Sequence, residues 1–112
     1  MVSPLKSKVK VGPFRIKFVE SNLNPGSEET FHFGLTSLQE ATCFIHGQQD
    51  MSMKKETYFH ELLHVVFATC GLSERIDHDE EEKIIQALSP ILLDVLRTNI
   101  EFSNYVFDDG DL

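Results

Sequence analysis

The most constraining stretch of the chain is YFHELLHVVFATCGL, from Tyr58 to Leu72. Besides Tyr58 and Cys70, its ionisable groups are His60, Glu61 and His64. Phe59, Leu63, Val66, Phe67 and Cys70 recur at helical spacing on one face, and Leu62 and Val65 carry the apolar surface round the other side. A helix apolar over so much of its circumference is expected to be largely buried. Burying two histidines and a glutamate without partners costs several kcal/mol. Whatever this chain folds into has to supply those partners.

The surrounding sequence suggests how. Met51 to Cys70 reads as one long helix, with Asp50 or Ser52 as N-cap and Gly71 just past its end. A second helix is expected from about Asp79 to Thr98, capped by Asp77 or Asp79, with acids in its first turn and Arg97 in its last. Its apolar stripe is Ile84, Ile85, Leu88, Ile91, Leu92, Val95 and Leu96, and Ser89-Pro90 predicts a kink or break inside it. Ile100 to Phe107 fits either a short helix or an extended segment. Ahead of the helices, Val9 to Glu20 alternates as a strand interrupted by Gly12-Pro13, and Thr30 to Leu35 and Ala41 to His46 are shorter strands. Asn24-Pro25-Gly26 is turn chemistry. These readings combine into an α+β fold, a small three-stranded sheet packed on the Met51–Cys70 helix with the second helix crossing it. At 112 residues the expectation is a single domain over 1–112, with 1–8 and 108–112 as loose ends.

Charge and cysteine usage exclude several function classes. Ten basic and 18 acidic residues give 10 − 18 = −8, which argues against a protein that binds nucleic acid by neutralising phosphates. Lys6, Lys8, Lys10, Arg15 and Lys17 cluster early and read as a solvated arm and strand face. The apolar stretch Leu62 to Leu72 falls far short of the ~20 residues a membrane span needs. Cys43 and Cys70 are too few for a disulfide framework, and both read as small buried hydrophobes, reduced in a cytoplasmic protein without a secretory signal.

His60-Glu61-Leu62-Leu63-His64 fits H-E-x-x-H on a helix. Residues four apart lie one turn apart on the same face, so two imidazoles can grip one ion, while the glutamate points about 100° away. In the zinc peptidases that use the motif, that glutamate takes a proton from the water the metal activates. The bland alternative is a pair of hydrogen-bonded core histidines with an exposed Glu61. A catalytic zinc usually keeps three protein ligands, so a third is needed beyond His60 and His64. A histidine six residues after the second is excluded, because position 70 is Cys70. Glu81 precedes Ile84, Ile85, Leu88 and Leu92 at helical spacing and sits near the centre of the buried stripe, which makes it the first candidate; Glu82 and then His78 follow. His32 and His46 lie on strand candidates and read as surface or edge residues.

ETYFHELLHVVF, followed by EEKIIQALSPILLDVLRTN, resembles the small H-E-x-x-H proteins of bacteriophages and prophages, minimal zincin-like zinc metallopeptidase domains. The resemblance runs from about Lys10 to Asn99 and is sharpest over Glu56 to Phe67 and Glu81 to Asn99. More distantly the chain is similar to gluzincin-type peptidases of mobile elements that cleave repressors. The resemblance implies a short sheet ahead of the active-site helix, Zn2+ on His60 and His64, Glu61 as general base, and a glutamate ligand from the Glu81-Glu82 pair. It further implies a peptide or protein substrate, no nucleic-acid or membrane partner, and the cytoplasm of a bacterial host for a phage-encoded chain. The Ala41 to His46 strand, at a sheet edge, is expected to hold the substrate by strand addition. The rival from another class is a zinc-stabilised binding or regulatory protein without turnover; a third reading is a metal-free interaction module.

Overall fold

The computed structural model describes residues 4–22, 33–108 and 110. The Gly12-Pro13 interruption is a hairpin turn. Strand β1 (Val9–Val11) pairs antiparallel with β2 (Phe14–Ser21), with Val11 opposite Phe14. Gly12 has φ of +56°, the positive value that a two-residue turn of the II′ kind requires at its first position. Strands β3 (Gly34–Ser37) and β4 (Thr42–His46) form a second antiparallel pair, and β4 lies parallel to β2. Among the described residues the sheet therefore has four strands in the order β1-β2-β4-β3, which corrects the expected three: the Val9–Glu20 segment supplies two of them. β4 is flanked on both sides, so the expectation that Ala41 to His46 is an edge strand is overturned; β3 is the edge beside it. The Asn24-Pro25-Gly26 turn, His32 and the first part of the Thr30–Leu35 strand lie outside the described residues.

Helix α1 (Met51–Thr69) packs on the sheet through Tyr58, Leu62 and Val65, against Ile16 and Phe18 of β2 and Cys43 and Ile45 of β4. Its caps are those the sequence suggests. The Asp50 side chain accepts from the Ser52 N–H, and Gly71, at φ +86°, follows the last turn. A polar clamp fixes the N-terminal half of α1: Tyr58 donates its hydroxyl to Glu20 Oε2, Lys54 Nζ lies 3.1 Å from Glu20 Oε1, and the Tyr58 ring stacks on Phe18 at 5.2 Å. Glu20 is thereby buried without an unpaired charge. Lys8, Lys10, Arg15 and Lys17 are exposed, as a solvated strand face requires.

A short 3-10 turn (Leu72–Glu74) leads into α2 (His78–Thr98), capped by Asp77, whose carboxylate accepts from the Glu80 N–H at 2.8 Å. α2 runs through Pro90 as one helix, not two pieces. α3 (Ile100–Phe107) resolves the undecided C-terminal segment as a helix. The buried ridge of α2 is Glu81, Ile85 and Ser89, one residue per turn. The broad apolar stripe expected from its sequence is not the buried face: Ile91 is 63% exposed and Leu88, Leu92 and Val95 are also exposed. The reason is geometric. α2 packs chiefly along α1 and meets α3 at its end, so only the ridge turned to α1 is covered. Among the described residues, no helix is long and apolar enough to cross a membrane.

Ile45, 1% exposed between β2 and α1, should lose 2–5 kcal/mol on replacement by alanine, whereas Ile91→Ala should stay within about 0.5 kcal/mol; urea unfolding of the two variants measures the contrast.

Candidate metal centre

The geometry of α1 and α2 brings the chemistry together. His60 and His64 lie one turn apart on α1, their rings 5.1 Å apart and roughly edge to face. Glu61, His60 and His64 form a group whose donor atoms all lie within 4.8 Å of one another, and this group could hold a metal ion. Glu61 is buried, contrary to the bland reading that leaves it in solvent.

The two acids at the start of α2 divide the work of holding the imidazoles. Glu81 is 7% exposed and its Oε2 accepts from His64 Nδ1 at 2.6 Å, while Ser73 donates its hydroxyl to Oε1. Glu82 spans the other ring nitrogens: Oε1 lies 2.7 Å from His60 Nε2 and Oε2 lies 3.0 Å from His64 Nε2. Of the candidates for a third ligand, Glu81 before Glu82 and His78, the first two therefore meet the imidazoles at different nitrogens. Glu81 does sit on the buried ridge, but a residue at its centre faces the side of the His64 ring away from the point where the two Nε2 atoms converge. Glu82, about 100° further round α2, faces that point. His78 lines one of the hollows beside it and is exposed.

To take a cation, His64 would keep its N–H on Nδ1, held by Glu81, and present the lone pair of Nε2. Burial works to raise the Glu81 pKa, but the bonds from Ser73 and His64 and the nearby His64 and His78 charges outweigh it and hold the carboxyl below the ordinary glutamate range. The donor set suits a divalent cation: two imidazole nitrogens and a carboxylate facing one point, with a second carboxylate orienting a ring from behind. His64 thus faces a carboxylate through each of its ring nitrogens, and His60 through Nε2 alone.

Glu61 is held by β3. Thr36 donates its hydroxyl to Glu61 Oε1 at 2.7 Å. Cys43 Sγ lies 3.4 Å from the same hydroxyl, and burial pushes the Cys43 thiol up to about 11, so it stays protonated and serves as a donor, not a nucleophile. Gly34 is what lets the strand come so close: a Cβ there would lie 2.7 Å from Thr57 Cγ2, 2.9 Å from Glu61 Cγ and 3.0 Å from Glu61 Oε2. Two hollows flank the centre, of about 410 and 490 Å³, and Gly34, Glu61, Glu82 and Gln86 line both. Thr36, Gly34 and Ser73 escaped the sequence reading, since their partners are far along the chain and a threonine, glycine or serine carries no signal of that role.

The remaining candidates are elsewhere. His46 is buried at the end of β4, its Nδ1 3.4 Å from the Ser21 carbonyl oxygen. Cys43 is fully buried as expected; Cys70, at the C-cap of α1, is exposed, contrary to the expectation of a buried thiol. Compared with models of protein families, with curated proteins and with solved structures, the chain has no match.

Because the folded-state pKa of Glu81 is depressed, its ionised form contributes stability above the ordinary glutamate pKa, and that contribution is lost as pH falls through the lower folded value. Glu81→Gln should therefore be about 1–3 kcal/mol less stable than the parent at pH 7, with the gap closing in acid; thermal melts across pH 3–7 read it.

Proposed function

We propose that this chain is a zinc-dependent peptidase of a minimal zincin-like kind, hydrolysing peptide bonds with Glu61 as general base. The observation that carries the reading is the convergence of His60 Nε2, His64 Nε2 and the Glu82 carboxylate beside the buried, Thr36-bonded Glu61. In this reading His60, His64 and Glu82 hold the metal, and Glu81 orients His64. When bound, zinc polarises a carbonyl and lowers the pKa of a coordinated water to about 7.

The chain's own residues supply the rest. Thr36 occupies Glu61 Oε1, which leaves Oε2 to accept the proton from the attacking water and pass it to the leaving amine. Gly34 keeps Oε2 open, since any side chain there would press on it. β3, the terminal strand of the sheet among the described residues, borders both hollows and is where an extended peptide would add as a strand, the role first given to β4. Protein from metal-supplemented medium, with elemental analysis and an unbiased peptide library, tests the proposal. Wild type should carry one zinc. Glu61→Gln should keep the metal while turnover drops at least 100-fold, because general-base catalysis contributes about 10²–10⁴-fold. His60→Ala and Glu82→Ala should lose the metal; Glu81→Gln should weaken its binding by about 10–100-fold. Loss of zinc in Glu61→Gln would sink the role given to that residue, and stoichiometric zinc without cleavage of any peptide would leave the structural role of the metal in its place.

Gly34→Ala should lower turnover at least tenfold with zinc content unchanged, as the added methyl displaces Glu61; a fully active variant would remove β3 from the account.

A further inference from the structure

The two hollows beside the centre differ in one respect that bears on the substrate. In the larger one, the Glu81 carboxylate is engaged by Ser73 and His64, and the remaining walls include Leu35, Leu38 and Ala68. In the other, Glu56, one helical turn before His60, shares the lining with Phe33, Met53 and Pro90. Glu56 is half-buried and makes no ion pair or hydrogen bond through its side chain among the described residues. Lysine and arginine are absent from the described lining of both hollows.

We infer that this hollow takes a lysine or arginine side chain of the substrate, next to the bond that is cut, with Glu56 as the residue that selects it. The inference rests on the peptidase reading for the identity of the ligand as a peptide. The walls match what a long basic side chain needs. Its methylenes lie against Phe33, Met53 and Pro90, and its charged head meets a carboxylate that none of the described residues neutralises. Glu61 and Glu82 do not compete for it, since the proposed cation faces both. A net charge of −8 favours the approach of a basic segment over an acidic one. The opposite hollow, with its acid already satisfied, accepts apolar or small side chains.

The probe is a set of fluorescent decapeptides identical but for one position, which carries lysine, arginine, norleucine or glutamate and is moved stepwise along the chain. Binding is measured by anisotropy on zinc-supplemented Glu61→Gln protein, and cleavage separately on wild type. At one position the lysine or arginine peptide should bind about tenfold more tightly than its norleucine twin, the worth of one charge-assisted contact. Adding Glu56→Gln should erase that difference while leaving the norleucine affinity unchanged, and Glu56→Lys should make the glutamate peptide the preferred one. Equal binding of the lysine and norleucine peptides at every position overturns the inference, as does a preference that survives Glu56→Gln. Peptides that bind with the Glu56-dependent preference yet stay intact in wild type support the recognition and overturn the hydrolysis.

Discussion

The contact between the first turn of α2 and one face of α1 governs this structure. Two carboxylates, Glu81 and Glu82, reach three ring nitrogens of His60 and His64 at 2.6 to 3.0 Å. Each partner would be costly to bury alone, and together they make the interface between the helices possible. The rest serves this contact. Asp77 starts α2 at the right residue, Ser73 steadies Glu81, and the sheet fixes α1 through the Glu20–Tyr58–Lys54 clamp and the apolar cluster around Val65.

The strand edge acts on the other flank of the same helix. β3 brings Thr36 to Glu61 and keeps a glycine where the carboxylate needs room. Glu61 is thus positioned by hydrogen bonding on one oxygen and left bare on the other. A carboxylate with one engaged and one open oxygen is suited to receiving a proton.

Much of this could be read from the chain itself, for local reasons. The i, i+4 histidines, the capping residues Asp50 and Asp77 and the glycine after α1 all act within a turn or two, and their spacing carries their meaning. The strands were harder. Gly12-Pro13 looked like an interruption of one strand and is a turn between two, because pattern alone does not distinguish a bend from a reversal. The order β1-β2-β4-β3 depends on pairings far along the chain, so the edge strand was misplaced. The helical wheel put Glu81 at the centre of a stripe correctly, but the depth of burial followed from how little of α2 its neighbours cover. The partition between Glu81 and Glu82 turns on which side of an imidazole each acid meets, and sequence spacing does not encode that.

The narrow ridge by which α2 docks has a thermodynamic consequence. With Ile85 the only fully buried apolar side chain on that helix, little hydrophobic area holds α2 against α1, and polar contacts carry the remainder. A cation gripped from both helices would act as a removable cross-link. Each tenfold rise of free ion above its dissociation constant would then add about 1.4 kcal/mol to the docked state. Chelation would release the C-terminal half into local unfolding while the sheet and α1 stay assembled, so that amide protection in α2 would track ion supply instead of temperature.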